Sequence, residues 1–231
     1  MKNFQHSDWE QIKLVIFDLD GTLYNQQLLR FYMIFELLKY TIIKPDLSIF
    51  SIIKNYRRIR EQVGEEELFD FEHHLIQKTS QVTGLSNEKI ISTISMWIEN
   101  KPLQYLKFCR YDGLDALFLA LKNKGKLIGI FSDYRADKKM VALGLNADFI
   151  VHAGDQSVNV LKPHPKGLFF LMNKAGVSSK NTILIGDRND RDGAVADRAN
   201  VQCLIKSTKS LNNRQTFVNF YDDIFNPILL D

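Results

Sequence analysis

The sequence predicts an α/β fold, a parallel sheet with helices on both faces and an all-helical segment inserted after the first strand. Two observations predict the sheet: short continuous apolar runs, and helix-patterned stretches between them. Such alternation is typical of parallel strands buried on both sides. The third observation is a stretch without a convincing strand, residues 24–108, which predicts the insertion.

Five apolar runs are the predicted strands. They are LVIF (14–17), LIGIF (127–131), DFIV (148–151), TILIG (182–186) and VQCLI (201–205). Predicted helices cover 112–124, 135–143, 165–175 and roughly 190–199. Each of these helices is followed by a residue that tolerates a left-handed backbone, namely Gly125, Gly144, Gly176 or Asn200. We expect the C-terminal FVNFYDDIFNPILL to return to the core as a strand or helix.

The insertion is rich in apolar residues at helical spacing. One set is Leu28, Phe31, Phe35, Leu38 and Ile42, which predicts amphipathic helices packed against a core. Charged residues interrupt 28–56 every few positions, so no run approaches the ~18 apolar residues of a spanning helix. We therefore expect no membrane partner.

Composition narrows the class of protein. The 231 residues suffice for one large domain with an insertion, and a net charge of +3 is too small to predict nucleic-acid binding. Cys109 and Cys203 lie far apart and form no metal-ligand pattern, which favours a reducing, intracellular compartment. The N-terminal MKNFQHSDWEQIK has no apolar core, so we expect no signal peptide and a cytoplasmic protein.

Polar side chains follow three predicted strands directly. LVIF runs into Asp18 and Asp20, LIGIF into Ser132, and TILIG into Asp187. Open parallel sheets bind ligands outside the carboxyl ends of their strands, so we expect these groups to share one pocket. A pair of carboxylates at ~4 Å repels by about 4 kcal/mol at an effective dielectric of 20, which calls for a cation. Oxygen ligands without His or Cys favour Mg²⁺.

The remaining groups suit a phosphoryl ligand. Lys162, in the extended LKPHP stretch, adds a fixed positive charge, Ser132 adds a hydroxyl, and Gly21 lets the backbone approach closely. In an extended chain the side chains of Asp18 and Asp20 fall on the same side. One could then attack phosphorus while the other handles the proton of the leaving alcohol.

These motifs, in this order, resemble the haloacid dehalogenase-like (HAD) superfamily. The matching stretches are DLDGT (18–22), Ser132 after LIGIF, KPHP (162–165), and GDRNDRD (186–192) after TILI. The resemblance implies a Rossmann-like core made of 1–23 and 109–231, with a helical cap domain at 24–108. It also implies an aspartyl-phosphate intermediate, with Asp18 as nucleophile and Asp20 as general acid and then base.

The resemblance also implies two sets of binding residues. The substrate-binding set is Thr22, Ser132, Asp133 and Lys162. The metal set is Asp18, Asp20 (through its backbone carbonyl), Asp187 and Asp192. GDRNDRD offers both Asp190 and Asp192 as its second acid; the spacing favours Asp192, and Asp190 can instead cap the next helix.

Asp20 separates branches of the family, and besides the two acids of GDRNDRD the sequence departs from common members at two further places. The eponymous dehalogenases lack an aspartate at the position of Asp20, because a halide leaving group needs no proton; its presence favours phosphoester chemistry. Ser132-Asp133 replaces a more usual Ser-Asn. Tyr24-Asn25 replaces a frequent Val-Asp, which we expect to affect the cap hinge and the substrate rather than the chemistry.

The sequence therefore predicts a Mg²⁺-dependent phosphatase for a small phosphorylated metabolite, as a monomer or homodimer. A phosphomutase that uses the same residues, and a non-catalytic phosphate-binding or regulatory homologue, remain the alternatives. The basic stretch KNYRRIR (54–60) has two interpretations. It is either part of a mixed-charge helical surface, or Arg57, Arg58 or Arg60 binds a second anionic group of the substrate.

Overall fold

The computed structural model describes residues 4–230, which form a six-stranded sheet flanked by helices. The ends of the predicted core domain at 1–3 and 231 lie outside the described residues. The strands are β1 (Leu14–Phe17), β2 (Leu127–Ser132), β3 (Phe149–His152), β4 (Thr182–Gly186), β5 (Gln202–Lys206) and β6 (Gln215–Phe217). The five predicted strands are confirmed to within one residue at either end. The sixth lies largely before the C-terminal stretch, of which it includes only Phe217.

The α-helices take up most of the remaining chain. Between β1 and β2 lie α1 (Gln26–Ile43), α2 (Ser48–Glu65), α3 (Phe71–Thr83), α4 (Asn87–Ile94), α5 (Leu103–Cys109) and α6 (Leu114–Asn123). The later helices are α7 (Asp137–Leu143), α8 (Lys166–Ala175), α9 (Ala194–Ala199) and α10 (Asn226–Leu229). Two π-helical turns, Ser95–Asn100 and Asn189–Gly193, join α4 to α5 and lead into α9. The four helix-ending residues expected at 125, 144, 176 and 200 all have positive φ.

All strand pairs are parallel, in the order β3-β2-β1-β4-β5-β6. The chain leaves β1 toward β2 on one side and returns to pair β4 with β1 on the other. Ligands of open parallel sheets bind at such a reversal of strand order. The carboxyl ends of β1, β2 and β4 are therefore the expected place for a site.

Both faces of the sheet are buried. Alternate residues of β1 point to opposite sides, so Val15 and Phe17 join one apolar cluster while Leu14 and Ile16 join another. The first cluster includes residues of α6, α7 and α10, and the second includes residues of α8 and α9. This two-sided covering explains why β1, at the centre of the sheet, has no polar residue.

The inserted helices pack in two groups. Residues of α2, α3 and α4 form an apolar cluster of their own, which also takes in Ala153 and Leu161 from loops beyond β3. Helix α1 instead contributes Leu29, Met33 and Leu37 to the cluster on one face of the sheet. The insertion is thus tied to the sheet through α1 as well as through its own core.

The predicted inward face of α1 was wrong. Leu28, Phe31, Phe35, Leu38 and Ile42 are all exposed, Ile42 to 84% and Phe31 to 67%. The buried side belongs to Leu29, Met33 and Leu37, which are also at helical spacing. Because α1 is apolar on both sides, periodicity alone could not decide which side meets the core.

Candidate active site

Asp18 lies at the end of β1, where the strand gives way to a tight turn. Its backbone N–H donates to Ile185 O of β4 at 2.8 Å, which continues the strand pairing by one residue. Its carboxylate accepts from Thr22 Oγ1 (3.0 Å) at Oδ2 and from Lys162 Nζ (2.7 Å) at Oδ1. Both oxygens are thereby oriented.

Lys162 links two carboxylates. Its Nζ lies 2.7 Å from both Asp18 Oδ1 and Asp192 Oδ1, and its side chain is almost fully buried. Burial lowers the pKa of Lys162, but the charges of Asp18 and Asp192 outweigh it and the net shift is upward. The lysine is therefore a fixed cation at the bottom of the site.

Asp192 is the second acid of GDRNDRD that joins the cluster. Its Oδ2 accepts from the backbone N–H groups of Asp187 (3.2 Å) and Arg188 (3.1 Å). Asp190 is instead exposed and paired with Arg188 at 2.6 Å, without a side-chain cap on the helix. Since both oxygens of Asp192 already accept hydrogen bonds, direct metal ligation by it stays a prediction.

Asp18, Asp187 and Asp192 form a compact acidic cluster. One oxygen from each lies within 4.8 Å of the others. Burial, followed by repulsion from Asp192, raises the pKa of Asp187 to about 7. Burial also raises the pKa of Asp18 well above its usual value, although Lys162 opposes this. The single positive charge of Lys162 does not balance the negative charge of three carboxylates. A divalent cation coordinated by their oxygens would neutralise the remaining charge.

Gly21 allows this crowding. Its φ is +103°, and a Cβ there would lie 2.2 Å from Asp187 Oδ2. The glycine therefore provides both the turn after Asp20 and the space for the Asp187 carboxylate.

Asp20 lies beside this cluster in a separate set of contacts. Lys139 Nζ is 2.5 Å from its Oδ1, the Tyr24 hydroxyl donates to the same oxygen, and Ser132 Oγ donates to Oδ2 at 3.3 Å. Burial raises the pKa of Asp20, but Lys139 and these hydrogen bonds outweigh it and lower the pKa overall. The two aspartates of DLDGT thus have different environments and opposite pKa shifts.

The predicted substrate-binding residues differ in their access. Lys162 and Asp133 line the cavity described below, whereas Thr22 and Ser132 are fully buried. The Thr22 hydroxyl is engaged with Asp18 and that of Ser132 with Asp20, while Asp133 Oδ1 accepts from the backbone N–H of Lys162 at 3.0 Å. Substrate contacts by these residues stay predictions.

A cavity of about 430 Å³ opens over the aspartates. Its floor includes Asp18, Asp20, Lys162 and Asp187 from the sheet, and its opposite wall comes from α1 and α2. This volume falls in the usual range for small-molecule sites. All the predicted site residues except Thr22 and Ser132 therefore line one pocket, between the sheet and the insertion.

Lys139 and Tyr24 touch the site in ways the sequence analysis missed. Both contact Asp20 directly, so Tyr24 also lies within reach of the chemistry, while its expected effect on hinge and substrate stays a prediction. Their positions in the chain were the only sequence feature that could have indicated these contacts. Lys139 lies one helical turn into the helix after β2, and Tyr24 lies four residues after Asp20. Neither position can be assigned to the site before the turn and helix are placed in space.

A family model described as haloacid dehalogenase-like hydrolase matches residues 15–206. The chain belongs to this family. A curated relative, the glyceraldehyde 3-phosphate phosphatase of Methanocaldococcus jannaschii, is 24% identical over 186 residues, 78% of each chain.

Two solved structures share the fold. The 2-haloacid dehalogenase from Pseudomonas syringae has a TM-score of 0.64 at 19% identity, covering 95% of this chain and 98% of its own. The HAD-hydrolase YfnB from Bacillus subtilis, solved bound to magnesium, has a TM-score of 0.68 at 13% identity, covering 94% and 98%. At these identities the likeness concerns the fold alone.

Two further expectations meet the structure only in part. Cys109 and Cys203 are buried free thiols, with no disulfide between them. Within residues 4–230, no helix combines the length and apolar character needed to cross a bilayer. The cellular compartment stays a prediction.

Proposed function

We propose that the chain is a Mg²⁺-dependent phosphatase that hydrolyses a small phosphorylated metabolite through an aspartyl-phosphate on Asp18. The observation that carries the proposal is the pair of carboxylates in DLDGT. Asp18 lies in the acidic, lysine-bearing floor of the cavity, and Asp20 lies beside it in its own hydrogen-bond network. One can serve as nucleophile and the other as acid and base.

The residues present fit a magnesium ion. Asp18 and Asp187 offer carboxylate oxygens, and no His or Cys takes part in the cluster. The raised pKa of Asp187 indicates negative charge that a cation would stabilise. When bound, Mg²⁺ would neutralise charge on the phosphoryl oxygens and keep Asp18 ionised. In this proposal Asp192 and the backbone carbonyl of Asp20 complete the metal set, and Asp192 also holds Lys162 and the loop after β4.

The first chemical step forms a bond between Asp18 and phosphorus. An oxygen of Asp18 attacks, the phosphorus–oxygen bond to the alcohol breaks, and Asp20 donates a proton to the departing oxygen. Lys162 would bind a phosphoryl oxygen.

The second step restores the enzyme. Asp20, now a carboxylate, takes a proton from water as that water attacks phosphorus, and the bond to Asp18 breaks to release phosphate. The lowered pKa of Asp20 in the substrate-free structure suits this base form. Donation in the first step needs a proton on the same carboxyl, so we expect substrate to alter its contact with Lys139.

The helices of 24–108 form the cap domain in this proposal. They supply the wall of the cavity opposite Asp18, including Leu29 and Met33 of α1 and Arg60 of α2. A cap in that position would exclude water and choose the organic part of the substrate. The phosphatase name of the archaeal relative supports this class of reaction.

Phosphate release from a panel of about fifty phosphorylated metabolites, with Mg²⁺ and with EDTA, tests the proposal. We expect metal-dependent release from one chemical group of substrates. Asp18→Asn should abolish release while the circular dichroism spectrum stays unchanged. Asp190→Asn is the matched control, because it removes an exposed carboxylate of the same motif. Release by Asp18→Asn at the wild-type rate would contradict the mechanism.

The same panel distinguishes the proposed phosphatase from the two alternatives, a phosphomutase and a non-catalytic homologue. Activation by added bisphosphate, with product isomers instead of free phosphate, would indicate a phosphomutase. Silence across the panel with metal bound would favour the non-catalytic alternative.

A further inference from the structure

One face of α2 lies over the catalytic loops. Arg60 donates to the backbone oxygen of Asp133, and Glu61 accepts from Arg188 and Arg191 at 2.8 Å. Residues three and four apart share a helix face, so Arg57 lies one turn back on the same side. It lines the cavity together with Arg60 and Glu61.

Arg57 differs from the other two residues in its lack of partners. Among residues 4–230 it has no hydrogen-bond or ion-pair partner, whereas Arg60 bonds to Tyr56 and to the backbone of Asp133, and Glu61 pairs with Arg191. Arg60 Nε is buried without a partner, but the rest of that guanidinium is held against the loop after β2. Arg30 and Arg58 also line the cavity, and their side-chain partners among the described residues are the neutral Gln26 and Asn55. The outer wall therefore has positive charge without acidic partners.

The position of Arg57 in the cavity wall indicates which part of a substrate it would meet. Arg57 belongs to α2, which with α1 forms the wall opposite the floor that holds Asp18 and Lys162. A phosphoryl group bound at that floor would leave the rest of the substrate, the leaving alcohol, facing this wall.

We propose that Arg57 binds a second anionic group, a carboxylate or a phosphate, on the leaving-group part of a phosphate monoester. The inference rests on the proposed function and narrows its substrate class. A guanidinium binds either anion through two parallel hydrogen bonds. The apolar side chains of Leu29, Met33 and Ile98 also line the cavity, and they would contact the carbon skeleton of such a substrate.

Substrate pairs that differ by one anionic group test this. Suitable pairs are 3-phosphoglycerate against glycerol 3-phosphate, and fructose 1,6-bisphosphate against fructose 6-phosphate. We expect wild type to prefer the first member of at least one pair by tenfold or more in kcat/KM, and Arg57→Ala to reduce that ratio about tenfold to a hundredfold. Lys54→Ala, an exposed cation on α2 outside the cavity lining, should keep the wild-type ratio. The pair in which the preference appears shows whether Arg57 binds a carboxylate (the first pair) or a phosphate (the second pair).

Calorimetry on the Asp18→Asn protein separates this proposal from the function on which it rests. Tighter binding of the doubly anionic esters, lost on adding Arg57→Ala, supports the subsite even if wild type shows no turnover. Turnover without any preference within the pairs, or with a preference that Arg57→Ala leaves unchanged, overturns the subsite and leaves the phosphatase intact.

The exposed face of α1 carries a second, independent inference. Its residues 28, 31, 35, 38 and 42 alternate in steps of three and four, the a and d spacing of a coiled-coil seam. We call this set the α1 seam. None of the five residues is charged, although Lys39 Nζ lies 4.4 Å from the centre of the Phe35 ring, and Ile34, exposed to 55%, extends the seam on one side.

The seam is large for a surface that remains in water. Its five side chains expose roughly 500 Å² of apolar surface, if a large side chain covers about 150–200 Å². Monomers rarely leave contiguous apolar patches beyond a few hundred Å², and a standard interface covers about 800 Å² on each partner. The seam with its neighbours Ile34 and Ile43 approaches that size.

We propose that a second copy of this chain covers the α1 seam, so that two α1 helices pack about a two-fold axis. An a and d seam is self-complementary, as such an interface requires. A membrane surface fits less well, because α1 has only Arg30 and Lys39 as cations and Glu36 as an anion.

Sedimentation velocity at micromolar concentration tests the pairing. Wild type should sediment as a dimer and Phe35→Glu as a monomer, with the fold retained because Phe35 is exposed. Leu119→Glu on α6 is the matched control, equally exposed and outside the seam, and should remain dimeric. A monomeric wild type, or a Phe35→Glu dimer, overturns the proposal. Monomeric wild type that floats with phosphatidylcholine–phosphatidylserine vesicles would assign the seam to a membrane instead.

Discussion

Lys139 Nζ lies 2.5 Å from Asp20 Oδ1, in an ion pair that is nine-tenths buried on both sides. The lysine comes from the helix after β2 and the aspartate from the turn after β1. The pair therefore joins two loops of the site and sets the charge state of the candidate acid.

Replacing Lys139 should destabilise the fold. Lys139→Met leaves the Asp20 carboxylate buried without its cation, which costs about 3–5 kcal/mol when one partner of a buried pair is removed. Urea unfolding measures this, and Lys138→Met on the exposed side of α7 should change the free energy of unfolding by under about 0.5 kcal/mol. The double variant Lys139→Met/Asp20→Asn should lose less than the sum of the single changes. If the losses of unfolding free energy in the two single variants add up to the loss in the double variant, the two side chains do not interact.

A methyl group at Gly21 should damage the acidic cluster specifically. Gly21→Ala would force the Asp187 carboxylate aside, because the new Cβ would lie 2.2 Å from it. Gly84→Ala is the control, since Gly84 also has positive φ but open space around it. We expect the control to lose about 1 kcal/mol of stability from backbone strain alone. Gly21→Ala should lose more, and its Mg²⁺ affinity should also fall.

Magnesium should stabilise the protein through Asp187. Binding at a hundred times the dissociation constant adds about 2.7 kcal/mol, which corresponds to a rise in Tm of roughly 5–10 °C for a chain of this size. Differential scanning fluorimetry with Mg²⁺ and EDTA measures the rise. Asp187→Asn should abolish it and Asp190→Asn should not. An equal rise in Asp187→Asn would exclude this carboxylate as a ligand.

The tie between α2 and the loop after β4 should depend on pH. Burial raises the pKa of Glu61, but Arg188 and Arg191 outweigh it and lower the pKa overall. A carboxyl whose pKa is lower in the folded state stabilises that state above its unfolded pKa, near 4.3, and loses this effect as pH falls through the folded value. Glu61→Gln should therefore have a lower free energy of unfolding than wild type at pH 7. This difference should disappear once the pH falls below the pKa of Glu61 in the folded protein.

Chemical denaturation at several pH values between 3 and 7 follows that difference. Glu65→Gln, an exposed neighbour on α2, should show no such pH dependence. A constant gap between Glu61→Gln and wild type at all pH values would mean that the charge of Glu61 does not matter.

Local chemistry explains why so much of the site could be predicted. A strand followed at once by carboxylates leaves few alternatives, and parallel strands bring their carboxyl ends to one edge. Asp18, Asp20 and Asp187 therefore follow from their positions at strand ends, whereas Lys162, ten residues after β3, follows from the KPHP motif. The choice between Asp190 and Asp192 did not follow from position in the chain, because both lie within one turn and only the fold directs one of them to Lys162.

The sequence by itself determined the α/β class, five of the six strands and the motif residues at the ends of three of them, because hydrophobic periodicity and turn residues act over a few positions. Only the tertiary structure decided which side of α1 is buried, since both sides are apolar and packing against the sheet selects one. It likewise decided that Lys139 and Tyr24 meet Asp20 and that Arg57 faces the cavity. Those contacts join residues through the relative placement of separate elements, which no local pattern contains.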